Sequence, residues 1–293
     1  QEMPPALIQW FPGHMAKTRR MVTEMLPQCD AVIQILDARI PESSRNPEIA
    51  RLIGNKPMLT VLSKASLSDA SMNEAFARDY QSRGEACLFL DCITGYHMRE
   101  LPVALRALLS EKLQRYEAKG MAGRTLKVMI VGIPNVGKSS LINRLAKGNR
   151  AKVEDRPGVT RDKQWIRTDL GFDLLDTPGV LWPKFEDQRV GELLAMTGAV
   201  KDEILDLERL AILLVGRLRK LYPQMLSERY KLGDLTQYDT LDDYELALHI
   251  GRRRGFLLAG AEIDFTRTAN MLLDEFRGGK IGKITLERPG EIL

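Results

Sequence analysis

One octapeptide constrains this chain more than any other feature: Gly132-Ile133-Pro134-Asn135-Val136-Gly137-Lys138-Ser139. It matches G-x-x-x-x-G-K-[ST]. The apolar run Leu126–Val131 precedes it and the helical stretch Ser140–Leu145 follows, which is the strand–loop–helix context the pattern requires. Such a loop turns its backbone N–H groups inward, here those of Asn135, Val136, Gly137, Lys138, Ser139 and Ser140, and cradles phosphate oxygens. The helix N-terminus adds positive potential. Gly132 and Gly137 permit the backbone path. The Lys138 ammonium neutralises β/γ-phosphate charge, and the Ser139 hydroxyl is a ligand for Mg²⁺, a hard ion that prefers oxygen.

The rest of the chain fits a sheet around that loop. Short apolar runs at Ala31–Leu36, Pro57–Leu62, Ala86–Leu90, Leu126–Val131 and Phe172–Leu175 alternate with amphipathic stretches such as Ala70–Arg83 and Met98–Glu117. The alternation predicts a mostly parallel sheet with helices on both faces. After about residue 190 the pattern turns helical, with helices predicted over Lys201–Tyr222, Leu241–Ile250 and Asp264–Phe276. The fold class is therefore α/β: a P-loop NTPase (Rossmann-like) domain over 1–190, followed by an all-α domain over 191–293. A length of 293 residues suits two such domains. No apolar run approaches the ~20 residues of a membrane-spanning helix. No signal or transit segment precedes Trp10, so a cytoplasmic location without membrane contact is expected. Cys29, Cys87 and Cys92 form no C-x-x-C pair, which argues against zinc ribbons and redox motifs.

Further motifs extend the phosphate site. Asp176-Thr177-Pro178-Gly179 follows the last apolar run. Some 40 residues after a phosphate loop, D-x-x-G reads as the γ-phosphate sensor of a GTPase, with Asp176 on Mg²⁺ and the Gly179 N–H on phosphate. Between the two, Thr160 in Arg156-Pro157-Gly158-Val159-Thr160-Arg161 can supply a second Mg²⁺ hydroxyl. Base-reading loops stand upstream rather than downstream. Ser63-Lys64-Ala65-Ser66 ends the second strand, and Asp91-Cys92-Ile93-Thr94-Gly95 follows the third. The order base, base, phosphate, switch, γ-sensor is a rotation of the usual GTPase order, so the motifs are circularly permuted. A small-molecule kinase would call for an Arg-rich lid, which is not evident, and leaves Thr160 and Asp176–Gly179 unexplained.

The formal charge of +4 is unevenly spread. From Ala195 onward there are 15 basic and 16 acidic residues, against 28 and 23 before it. Lys138 to Arg167 alone holds nine basic and three acidic residues. That stretch can attract a nucleotide or dock RNA. In the helical half, Arg252-Arg253-Arg254, with Arg267 and Arg277, reads either as a solvated helix end or as a phosphate-backbone patch.

Together, W-F-P-G-H-M at Trp10–Met15, D-A-R-I-P at Asp37–Pro41, the phosphate loop, P-G-V-T at Pro157–Thr160 and D-T-P-G at Asp176–Gly179 make the chain resemble the circularly permuted GTPases of the YlqF family nearly end to end. The resemblance implies Mg²⁺-dependent GTP hydrolysis coupled to assembly of the large ribosomal subunit. Low intrinsic turnover stimulated by the subunit, a monomer, and a C-terminal helical domain on ribosomal RNA rather than DNA are the corresponding expectations. It also implies a catalytic role for His14, since Val180 and Leu181 after D-x-x-G cannot hold water, against the alternative of a structural turn residue. In related potassium-activated GTPases an Asn at the position of Asn135 helps hold K⁺. The chain departs from the family at the base. N-K-x-D stands here as Ser63-Lys64-Ala65-Ser66, and Cys92-Ile93 replaces a more usual Ser and small residue. Loss of the bidentate carboxylate contact to guanine costs roughly 1.5–3 kcal/mol. The alternative function is accordingly a nucleotide-promiscuous or non-hydrolysing P-loop scaffold.

Overall fold

The computed structural model describes residues 14–146, 165–182 and 185–291. Its centre is strand β1 (Ala31–Asp37), an apolar run buried along its whole length. It pairs in parallel with β2 (Met58–Ser63) on one side and β4 (Leu126–Gly132) on the other. Outside these lie β3 (Cys87–Phe89), parallel to β2, and β6 (Phe172–Asp176), parallel to β4. Strand β5 (Trp165–Arg167) closes the far edge antiparallel to β6, giving the order β3-β2-β1-β4-β6-β5.

Alternate residues of the strands feed opposite faces, and both are covered, as a parallel sheet requires. On one face Ile33, Ile35, Val61, Val128, Ile130 and Leu174 pack with α4 (Glu100–Leu108) and α6 (Lys138–Leu145). On the other, Val32, Met129, Val131 and Leu175 pack with α1 (His14–Met25) and α2 (Pro47–Ile53). There Leu36, Leu62 and Phe89 pack with α3 (Ala70–Ser82). The stretch expected as one helix over Met98–Glu117 breaks at Leu109 into α4 and α5 (Ser110–Ala118). Helix α4 buries Leu101 and Leu105 against the sheet, whereas α5 buries no residue fully and is held from its side by Tyr116 and Lys112 on Asp30 (2.8 Å each).

The first core continues without interruption into the helices that follow: α7 (Gln188–Met196), α8 (Leu207–Leu221), α9 (Pro223–Tyr230), α10 (Asp243–Arg253) and α11 (Phe265–Arg277). Helix α8 is their hub, packing on the other four. Asp206, Asp242 and Asp264 start α8, α10 and α11, each accepting the third backbone N–H of its helix, which satisfies an otherwise unpaired donor. Residues 280–291 then run back over the sheet domain. Ile284 N–H donates to Leu67 O and Leu286 N–H to Arg39 O, while Asp69 N–H donates to the Thr285 hydroxyl. Among the described residues no helix is long and apolar enough to cross a membrane.

Candidate nucleotide site

The motif loops all leave the carboxyl ends of parallel strands, where ligands of open α/β sheets bind. The phosphate loop leaves β4, the D-T-P-G turn leaves the neighbouring β6, and the two base loops leave β2 and β3. Asn135 (φ 58°) and Gly137 (φ 104°) both take left-handed backbone, which curls the loop before Lys138 opens α6. Ser139 and Ser140 are exposed in the first turn of α6, and Val136 is buried beneath the loop. Gly179 lies against the loop from the other side. A Cβ there would stand 3.2 Å from the Pro134 backbone, so a side chain would push the D-x-x-G turn and the loop apart by a few tenths of an ångström.

Lys138 and Asp176 meet as a close ion pair, Nζ to Oδ1 2.8 Å, the lysine 10% and the aspartate 42% exposed. Nζ also donates to Thr177 O, and the Thr177 hydroxyl donates to Ile130 O at 2.7 Å, pinning the turn to β4. The phosphate cation and the Mg²⁺ carboxylate expected from sequence are thus side by side. Oxygen is the donor a hard cation prefers. The exposed Ser139 hydroxyl and the half-exposed Asp176 carboxylate provide it, so the donor set fits Mg²⁺. Thr160 lies outside the described residues. His14 opens α1, and its side chain is outside the described set as well.

The base loops converge on the same site. Ser63 is buried, its hydroxyl directed to Leu36 O at 3.0 Å and to Val136 O, a carbonyl of the phosphate loop. Lys64, in left-handed backbone, donates from Nζ to Asn135 O at 2.9 Å. These two residues therefore tie β2 to the phosphate loop. The second loop is organised by Asp91, which sequence reading did not single out. Its Oδ1 accepts the N–H groups of Ile93 (2.8 Å) and Thr94 (3.1 Å), and its Oδ2 that of Ser66 (3.3 Å). Ser66 Oγ and Thr94 Oγ1 are 3.1 Å apart, joining the two base loops. Arg144 of α6 donates to Cys92 O at 3.2 Å. Burial pushes the Cys92 thiol up to about 11, so it is neutral. Ile93 is 87% exposed.

Two further features escape sequence reading. The Asn135 amide reaches out of the phosphate loop and donates to Gly198 O, just after α7, at 3.1 Å. Behind the loop, Asp37 and Arg39 form a buried pair with two bonds, Nε to Oδ1 3.0 Å and Nη2 to Oδ2 2.7 Å. Burial alone would raise the Asp37 pKa, but the guanidinium outweighs it and keeps the carboxyl below its usual range. Neither partner pair has a local spacing signature, though the D-A-R run at Asp37–Arg39 holds one of them.

A phosphate loop central in the sheet, a D-x-x-G turn on the adjacent strand and base loops entering before both in sequence define the class: a P-loop GTPase with circularly permuted motifs. The comparisons with known proteins agree. The family model for 50S ribosome-binding GTPase matches residues 127–233. The chain is 48% identical over 285 residues to ribosome biogenesis GTPase A of Bacillus cereus, covering 97% of this chain and 95% of that one. It is 33% identical over 300 residues to mitochondrial ribosome-associated GTPase 1 of Mus musculus, covering 96% and 90%. The crystal structure of GNP-bound YlqF from T. maritima superposes with a TM-score of 0.62 over 94% of this chain and 100% of that one, at 23% identity, a likeness of fold. The chain belongs to the ribosome biogenesis GTPase A (YlqF) family and is a GTPase.

Proposed function

We propose that this GTPase acts as an assembly factor for the large ribosomal subunit, docking on precursor particles through ribosomal RNA and leaving when GTP is hydrolysed. The observation that carries the reading is the convergence of phosphate loop, D-x-x-G turn and base loops on one sheet edge, with Asn135 reaching from that site to the helical region. Asn135 to Ser140 and Gly179 hold the phosphates, with Lys138 supplying the charge. Ser139, Asp176 and Thr160 would hold Mg²⁺, which when bound shields the β- and γ-phosphates. His14 orients the attacking water. The Asn135 side-chain oxygen would hold K⁺, its amide nitrogen being used on Gly198. Ser63, Lys64, Ser66, Cys92 and Ile93 surround the base. Residues 191–293 form the RNA-contacting unit, and the protein acts as a cytoplasmic monomer.

The basic cluster of that unit divides in two. Arg254 donates to both carboxylate oxygens of Glu275 (3.2 and 2.9 Å), as Arg229 does from the other side (3.0 Å each). Arg277 is held by Asp202 and by α7. Arg252, Arg253 and Arg267 are exposed and form the RNA face.

Turnover in KCl and in NaCl, with and without large subunits, tests the reading. Faster turnover with both KCl and subunits is expected, and Lys138→Ala should abolish nucleotide binding. Turnover indifferent to subunits would remove the assembly role. Equal rates in the two salts would remove K⁺.

A further inference from the structure

We propose that the base site accepts purine nucleoside triphosphates as a class, ATP and ITP alongside GTP; the inference rests on the GTPase reading and concerns which base its pocket admits. Guanine presents N1–H and N2–H₂, two donors on one edge. A carboxylate meets them as an acceptor twice over, and it repels adenine, whose N1 is itself an acceptor. Rejection of the wrong base arises when a buried group built for one hydrogen-bond pattern is left unpaired.

No carboxylate is available for that task on the described base loops. Asp91 is buried, and both of its oxygens are committed to backbone N–H groups of Ser66, Ile93 and Thr94. Asp69, three residues beyond Ser66, caps α3. Its Oδ1 accepts from Ser71 N–H (2.9 Å) and the Ser71 hydroxyl (2.7 Å), and its Oδ2 from the Tyr222 hydroxyl (2.8 Å). Ser63 stands where the family has an amide, and its hydroxyl is turned to Leu36 O and Val136 O. That substitution keeps the tie to the phosphate loop and gives up the reach toward a base.

The position of the missing acid holds instead the Ser66–Thr94 hydroxyl pair, 3.1 Å apart at the rim of the two loops. Each hydroxyl donates one hydrogen bond and accepts two, and it rotates to suit its partner. The pair can accept from guanine N1–H or donate to adenine N1 with the same two oxygens. Two side chains of the described base loops are indifferent to the identity of a purine: the exposed Ile93 and the lysine stem of Lys64, whose ammonium is engaged on Asn135 O.

The test uses the full chain in Mg²⁺ and K⁺. A fluorescent guanine nucleotide is displaced by GTP, ITP and ATP, and turnover of each is followed by phosphate release. ATP and ITP are expected to compete within about tenfold of GTP. Ser66→Asp is expected to raise the GTP-over-ATP preference by about a hundredfold. Thr94→Val, which removes half of the pair, should weaken ATP and GTP by similar factors. A wild-type preference for GTP of about a thousandfold overturns the proposal even if Ser66→Asp fails to fold, and so does a folded Ser66→Asp protein with an unchanged ratio. Those outcomes leave the GTPase reading intact. A wild-type protein that binds none of the three overturns both.

Discussion

Glu287 illustrates how much one side chain can do from a great sequence distance. It is 1% exposed, and its carboxyl group collects the N–H groups of Glu42 (2.9 Å) and Ser43 (3.1 Å) and the Ser43 hydroxyl (2.6 Å). Burial pushes it up from 4.5 to about 7, with the Ser43 and Glu42 donors pulling the other way. A raised carboxyl means that the folded state binds more protons than the unfolded chain, so stability falls as pH rises between those two values. The stabilisation from this group is full below about 4.5 and is lost as pH passes through 7. Glu287→Gln should flatten that slope, and urea midpoints at pH 5.5 and 8 should show wild type losing on the order of 2 kcal/mol relative to the variant. At this scale legibility follows locality. Lys138, Ser139, Asp176 and Gly179 could be placed at one site from sequence because their motifs are eight or four consecutive residues. Asp91, Gly198 and Glu287 could not, because each is defined by a partner brought close only by folding. Ser63 is half readable: its sequence shows the loss of an amide, and its contacts show what was kept.

Among the elements, the end of α7 concentrates the linkage between the two halves. A helix leaves its last carbonyls unpaired and carries partial negative charge there. Here the last carbonyls of α7 and those of the two residues after it face side chains from three distant places. Arg277 of α11 donates to Ala195 O (2.9 Å) and Met196 O (3.0 Å), Arg39 lies 3.5 Å from Thr197 O, and Asn135 donates to Gly198 O. Arg277→Ala would strand Met196 O and release Asp202, while Ala195 O keeps the Gly198 N–H (3.1 Å), and it should cost about 2–3 kcal/mol in denaturant unfolding. Arg277→Lys should recover only part of it, because lysine lacks the planar fork. The longer helices α3, α8, α10 and α11 were legible from apolar spacing, and so were the five parallel strands. Helix α2 was not, being seven residues long, and α9 was not because it starts at Pro223 directly after α8 ends. Strand β5 is three residues at an edge, too short for a periodicity to register.

Over the whole molecule, the rotated motif order leaves the sheet undisturbed. Base loops that enter early and a phosphate loop that enters late still leave the same edge of the sheet, because only β1 separates β2 from β4. The rotation was legible from motif order alone. The continuous core joining sheet and helices was not, since periodicity reports a buried face without naming what covers it. If the helical region carries the RNA contact, an Arg252→Ala/Arg253→Ala protein should bind large subunits more weakly and with a salt slope shallower by about two, as each lost phosphate contact removes about one. Its melting temperature should fall only slightly, Arg253 giving up one exposed bond to Lys231 O, whereas Arg254→Ala should lower it more, through Glu275.

The returning segment 280–291 has a consequence for the order in which this protein can be made. Its bonds to the first base loop and to the Glu42–Ser43 turn span 216 and 244 residues. A chain emerging from its own ribosome has the phosphate loop and both base loops in hand well before residue 285 exists. Until then Asp69 lacks the Thr285 hydroxyl, and Glu42 and Ser43 lack the Glu287 carboxyl. Contacts of such separation form late, after their loop-closure entropy has been met. The nucleotide pocket is therefore braced only once residues 284–287 have been made.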